Sequence, residues 1–362
     1  MGSIDTLATP AVLVDQPRLL ANIRDLQARC DAHRIALRPH TKTHKMLAVA
    51  RAQLEAGARG LTCAKLGEAE AMLPSGVREI FLAHSLVDPH QASRVAALMD
   101  QLDDFRVAVT SELHLEALER VAAALPRRLG VMLAIDTGLG REGVRSDEAA
   151  RRIAARLARH PRLELRGLYC HEGHFYGTTP DQLTSAVDAM LDRLDRLRNE
   201  MDSQLPLWPG CSVTARLVAA RAAGRVQAIR PGTYVFGDLS LTHTTGVMPP
   251  DAAAVHILAT VVDRPEPGLA LIDAGSKTFS SDRTPNQIYG RAADGRDLDV
   301  VRVNEEHGYV RGSATDALRV GEKVAFIPAH ICPAINLAQE VVVTDGTSVL
   351  GSWTVDARGR NQ

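Results

Sequence analysis

The chain has 362 residues, 45% hydrophobic and 23% charged, and its 42 Lys and Arg against 43 Asp and Glu leave a formal net charge of -1. That length can bury a sizeable core and suggests two domains, although a barrel uses about 250 residues as one unit. Near-neutral charge gives no electrostatic footprint for nucleic acid, and no apolar run approaches the roughly 18 residues of a membrane span.

The opening "MGSIDT" lacks the basic and apolar segments of a signal peptide and fits the loose myristoylation pattern, a match read as chance or a cloning remnant. "TPAVLVD" (9 to 15) reads as a strand and "PRLLANIRDLQARCDAH" (17 to 33) as a helix. A short buried strand follows at 35 to 38, and then "RPHTKTHK" (38 to 45). A basic run is ordinarily a solvated surface. This one lies between a strand and "MLAVARAQLEAGA" (46 to 58), which has helical spacing, so it stands at a strand's C-terminal end. If the strand geometry continues, Arg38, His40 and Lys42 point one way and Thr41 and Thr43 the other. Cations crowded around a lysine are one way to prepare an amine nucleophile.

Further strands are expected at 60 to 63, 79 to 82, 105 to 109, 129 to 135, 164 to 170, 205 to 208 and 226 to 229, with amphipathic helices such as 112 to 125, 147 to 159 and 181 to 200 between them. Eight strands alternating with helices predict an α/β fold, a (β/α)8 TIM-type barrel over 16–240. After about residue 240 the texture changes to short β-rich segments with little helix, predicting a C-terminal all-β domain over 241–362 that the strand at 9–15 joins.

Barrel active sites gather at the C-terminal ends of the strands. Beyond Lys42, those ends carry "DTGLGREGV" (136 to 144), "CHEGHFYG" (170 to 177), "WPGCSVT" (208 to 214) and "RPGTYVFGD" (230 to 238). Gly138, Gly140 and Gly143 satisfy GxGxxG, which allows a dinucleotide site, but the match is isolated and follows four strands. A glycine-shaped loop presenting Arg141 is the preferred reading. Gly210, Ser212 and Thr214, with Gly232, Thr233 and Tyr234, sit after the seventh and eighth strands, where barrels often hold a phosphate. In "PAHICPAIN" (328 to 336) His330 and Cys332 are two apart and, if locally extended, face the same way as an imidazole and thiolate suited to Zn2+. Cys30, Cys63, Cys170, Cys211 and Cys332 form no CxxC pair, so no disulfide framework is expected and the expected compartment is the reducing cytoplasm.

This combination resembles the fold-type III, alanine-racemase-like enzymes of pyridoxal phosphate (PLP). Within them "RPHTKTHK", "CHEGHFYG", "RPGTYVFGD", "IDAGSK", "NEEHGYV" and "PAHICPAIN" resemble the branch containing D-threonine aldolase, D-serine dehydratase and 3-hydroxyaspartate lyases, in order over nearly the whole chain. The resemblance implies that Lys42, rather than Lys45, forms the PLP Schiff base, with His40 and the glycine and hydroxyl loops also at the cofactor. It places Arg141 against the pyridine nitrogen, which a permanent cation keeps unprotonated. It makes His330 and Cys332 the ligands of a divalent metal, Zn2+ by preference, with Mn2+ or Mg2+ as alternatives. His171 falls where the branch has Tyr or His beside the substrate. D-Threonine aldolases often carry Asp in place of Cys332, and the histidine taken as the aldolase base has no clear match, since His174 is displaced and Gly177 occupies that place.

The resemblance therefore implies a homodimeric lyase for small D-3-hydroxy amino acids, of the D-serine or D-3-hydroxyaspartate dehydratase type, releasing a 2-oxo acid and ammonia. Retro-aldol cleavage to glycine and an aldehyde is the alternative. An amino-acid racemase, a non-catalytic PLP carrier and a nicotinamide oxidoreductase stand further off.

Overall fold

The computed structural model describes residues 2–222 and 224–362, and the chain divides into two compact units. Strands are numbered along the chain from β1 (Ala11–Asp15). The next eight are β2 (Ala36–Leu37), β3 (Leu61–Cys63), β4 (Glu79–Leu82), β5 (Asp104–Val109), β6 (Leu129–Ala134), β7 (Leu163–Tyr169), β8 (Leu207–Trp208) and β9 (Ala228–Ile229). They lie in the unit made of Asp25–Lys42, Leu47–Gly232 and Arg360–Gln362.

β3 to β8 form one parallel sheet in chain order, and β2 pairs in parallel with β9. Two links close the ring. A parallel bridge joins His40 to Thr62 beside β3, and the Gln227 N–H donates to the Leu207 carbonyl at 3.2 Å. The result is the expected eight-stranded parallel barrel. β6, "LGVMLA", is almost wholly buried on both faces, because helices cover the outside and side chains fill the inside. The helices start where the caps are: Ser111 accepts from the His114 N–H and Ser146 from the Ala149 N–H, fixing the starts of Glu112–Ala123 and Asp147–Ala158.

Phe81, Ala108, Met132, Ala134, Tyr169, Trp208 and Ala228 come from six strands and make one buried cluster, which is the barrel interior. Phe81 meets Tyr169 and Trp208 edge-on at centroid distances of 4.9 and 5.9 Å. The Arg38 guanidinium lies 4.4 Å from the Trp208 ring centre and that of Arg230 lies 4.8 Å from Tyr169. A plugged interior leaves the strand ends as the place for a ligand.

The other unit contains residues up to Arg24, Thr43–Met46 and Thr233–Gly359. Its strands are β1, β10 (Val255–Glu266), β11 (Leu269–Ile272), β12 (Gly290–Ala292), β13 (Asp299–Val303), β14 (Gly308–Arg311), β15 (Lys323–Pro328), β16 (Glu340–Thr344) and β17 (Val349–Thr354). They form a nine-stranded sheet in the order β11-β14-β13-β12-β15-β10-β1-β16-β17. β1 pairs antiparallel with β10 and parallel with β16, which buries Val12, Leu13 and Val14. β15 leads through His330 into the helix Ile331–Leu337. Among the described residues no helix is long and apolar enough to cross a membrane.

Candidate active site

The basic run does not continue the strand. β2 ends at Leu37 and residues Thr41–Thr43 form a tight 3-10 turn, so the expected in-and-out alternation fails. Each cation is placed by a separate contact. Arg38 pairs with Glu79 at 2.6 Å and is buried against Trp208. Lys45 donates to the Asn336 side-chain oxygen at 2.9 Å in the β unit. His40 and Lys42 line a cavity of ≈ 290 Å3 in the barrel unit. Beneath the turn the Thr41 hydroxyl donates to the buried Glu68 carboxylate, which also accepts the Ala64 N–H at 3.0 Å.

The cavity opens where the barrel rule places it. Lys65 follows β3, His84 follows β4, Arg141 and Glu142 come from the loop after β6, Cys170 and His171 follow β7, and Arg230 follows β9. Its volume is near the lower end of the roughly 300–1,000 Å3 usual for small-molecule sites. Four fixed cations face one carboxylate, Glu142, in this lining. That charge balance suits an anionic ligand.

His171 is the most perturbed group there. Burial, then the neighbouring Lys42 cation, pushes its imidazole down to about 3, with Arg141 and Arg230 adding to the effect. Nδ1 lies 2.7 Å from the Gly210 carbonyl, which can only accept, so Nδ1 carries the proton and Nε2 keeps its lone pair.

Arg141 is presented by a loop built on Asp136, whose carboxylate accepts the N–H groups of Gly138 and Gly140 at 2.9 and 3.2 Å. Gly143 sits at φ 123°, and a Cβ there would lie 2.8 Å from the Asp136 nitrogen. The N–H groups of Gly138 and Gly140 in the GxGxxG match thus serve a carboxylate of the chain itself and not a pyrophosphate. The nicotinamide alternative loses its one support.

The hydroxyl loops are more deeply committed than their spacing suggests. Glu172, 1% exposed, accepts the Gly210 N–H at 3.1 Å and the Thr214 hydroxyl at 2.7 Å. Gly210 must be glycine, because a Cβ would meet the Arg230 side chain at 2.9 Å. Ser212 and Thr214 are buried and, like Gly210 and Gly232, stand outside the cavity lining. Thr233 and Tyr234 are buried in the β unit, where the Thr233 hydroxyl lies 3.7 Å from Cys332 Sγ.

In that unit His330 is extended while Cys332 already belongs to the first turn of Ile331–Leu337, so the pair does not lie along one extended segment. Their side chains still meet. His330 Nδ1–H donates to Asp282 at 2.6 Å, and Cys332 Sγ is 3.3 Å from the Thr43 hydroxyl. Burial alone would lower the imidazole, yet Cys332, Asp238 and Asp282 outweigh it and raise His330 to about 10. A field that holds a proton so firmly also favours a metal cation, and the Asp282 contact is the usual support of a ligating histidine. Asp238, fully buried and raised to about 6 by burial, accepts the Ile331 and Leu241 N–H groups. Among the described residues no three His, Cys, Asp or Glu side chains gather as a complete metal cage.

Residues 14–240 match the alanine racemase N-terminal domain and residues 254–344 match the putative serine dehydratase domain. The chain belongs to the alanine-racemase-like lyases. Within that family, D-threo-3-hydroxyaspartate dehydratase of Delftia sp. is 32% identical over 94% of this chain and 96% of the relative. D-Threonine aldolase of Arthrobacter sp. is 28% identical over 97% of this chain and 93% of the relative. The solved structure of the Delftia dehydratase has a TM-score of 0.86 at 27% identity, covering 98% of this chain and 99% of that one. PLP is the cofactor expected of alanine-racemase-like lyases, and an amine in a cation-lined cavity at the strand ends fits a phosphorylated aldehyde.

Several residues of the cavity and of the clusters around Glu172 and His330 carry no sequence motif of their own. Lys65 and His84 stand at strand ends, so the barrel rule itself could have found them. Glu172 lies inside "CHEG", yet its role depends on where Thr214 folds. Asp282 is 48 residues from His330 and carries no local signal.

Proposed function

We propose that the chain is a PLP- and divalent-metal-dependent lyase that removes water from D-3-hydroxy amino acids to give a 2-oxo acid and ammonia. The observation that carries this is the joint placement of Lys42, Arg141 and neutral His171 on one cation-rich cavity. Lys42 holds the cofactor and is the base for the substrate α-proton once its amine is free. Arg141 supplies a fixed positive charge at the ring and restrains proton uptake there. His171, with its proton fixed on Nδ1, offers Nε2 as an acceptor to the substrate. Gly210 and the Glu172-supported loop hold that ring in place. His40 contacts the cofactor from the cavity wall, and Thr214 acts through Glu172.

Bound PLP supplies an electron sink for the α-carbon. His330 and Cys332 would hold a divalent ion, Zn2+ by preference for the thiolate, which would supply Lewis acidity to a hydroxyl. Cys332 in the dehydratase-type domain is the feature that favours dehydration. The homodimer and cytoplasmic location belong to the same proposal.

Retro-aldol cleavage is the second reading, favoured by the match to D-threonine aldolase. Against it, His174 is outside the cavity lining. Product identification with D-serine, D-threonine and 3-hydroxy-D-aspartate separates the two: a 2-oxo acid with ammonia, or glycine with an aldehyde.

A further inference from the structure

Lys65 and His84 have no part in the chemistry proposed above, yet both line the same cavity. The Lys65 ammonium lies 2.9 Å from His84 Nε2. Burial, then the Lys65 charge, lowers the His84 imidazole, so the ring is neutral and accepts at Nε2, and its proton is on Nδ1. An ammonium has three donors, and this contact uses one. Among the described residues no carboxylate lies within ion-pair distance of Lys65. Arg230, another cation of the lining, is buried and directs two of its N–H groups to the carbonyls of Cys170 and Trp208. Glu142 is the one carboxylate of that lining and makes no ion pair with Lys65, and a half-buried ammonium without a contacting anion is costly until one arrives.

We propose that Lys65, oriented by His84, binds a carboxylate on C3 of the substrate, which makes D-3-hydroxy dicarboxylic amino acids the preferred substrate class. This rests on the reading of the cavity as a lyase site and adds to it the identity of the 3-substituent. A neutral 3-substituent, such as the methyl of threonine or the hydrogen of serine, leaves the ammonium without its partner. A site built for a polar group rejects analogues that lack it more strongly than an apolar pocket rejects a changed methyl group.

The experiment compares holoenzyme and its Lys65→Met variant. Wild-type kcat/KM should favour 3-hydroxy-D-aspartate over D-serine by at least about tenfold, and in Lys65→Met that ratio should fall by roughly 10–100-fold with the cofactor absorbance retained. Lys65→Arg should restore part of the ratio. Calorimetric binding of D-malate against D-lactate gives a readout free of turnover: the dicarboxylate's advantage should disappear in Lys65→Met. An unchanged ratio, an equal loss on D-serine that would place the α-carboxylate at Lys65, or loss of the cofactor would each overturn the proposal. If wild type turns over none of these amino acids, the lyase reading fails, and the D-malate comparison still decides the role of Lys65. Turnover of D-serine with no dicarboxylate preference defeats this inference alone.

Discussion

His171 Nδ1 and the Gly210 carbonyl oxygen are 2.7 Å apart, which fixes the ring proton on Nδ1 and leaves Nε2 as an acceptor. The folded-state value of about 3 lies below the ordinary 6.5. Unfolding therefore lets His171 take up a proton below about pH 6.5, and the stability contributed by its neutral form is whole above that pH and lost as pH falls toward 3. His171→Asn should flatten the fall in Tm across that window, measured by thermal melts from pH 7 to 4. In turnover, His171→Phe should lower kcat by about 10²–10⁴ if Nε2 takes a substrate proton. An acid limb of kcat near pH 6 that disappears in His171→Phe would contradict a ring that stays neutral.

Asp238 works in the opposite direction. Burial raises it to about 6 from 3.8, so the stability linked to its protonated form is whole below about pH 3.8 and is lost as pH rises through 6. Asp238→Asn removes that titration. Its Tm should gain relative to wild type as pH rises through 6, unless the lost acceptor at Ile331 dominates, in which case the deficit is the same at every pH.

Lys42 and Lys45 are three residues apart and face different tasks. Lys42→Ala should abolish the visible absorbance of the bound cofactor and turnover. Lys45→Ala should keep both, losing the Asn336 contact at a cost of about 1 kcal/mol. Borohydride reduction followed by peptide mapping reads the attachment directly, and a label on Lys45 would refute the assignment.

Glu172→Gln keeps the shape and removes one acceptor. The native carboxylate serves Gly210, Thr214 and Cys170 at once, whereas an amide turns a donor toward one of them. The expected cost is about 1–3 kcal/mol in a denaturant titration. Because Gly210 also holds His171, kcat should fall with it. A variant with native kcat would show that this loop does not set the ring.

The His330 to Asp282 contact yields a prediction on the metal. Asp282→Ala should weaken metal affinity by about 10–100-fold without displacing the cofactor. Cys332→Asp should keep a site but shift its preference toward Mn2+ or Mg2+. Elemental analysis and metal titration of the purified variants check both. Unaltered affinity in both variants would make the pair ordinary buried side chains.

Sequence legibility followed chain locality. Alternating strands and helices, and the concentration of odd residues at strand ends, make Lys42, Arg141 and His171 legible in the sequence, because the barrel gathers all strand ends on one face. Lys42 reaches the cavity lining from a 3-10 turn held by Thr41 and Glu68, not from strand alternation. Thr214 looks like a ligand-binding hydroxyl because spacing cannot show that Glu172, 42 residues earlier, accepts its hydrogen bond. Partnerships of this kind, like His330 with Asp282, exist only after the chain has folded.

The central claim is best tested by the products of the purified holoenzyme from 3-hydroxy-D-aspartate and its L-enantiomer, measured with and without chelation. The account predicts a 2-oxo acid and ammonia in equal amounts from the D-enantiomer only, abolished in Lys42→Ala and restored after chelation by added Zn2+ or Mn2+. Glycine with an aldehyde would replace dehydration by the aldol reading. Full activity in metal-free protein, or turnover of the L-enantiomer at the same rate, would contradict the mechanism.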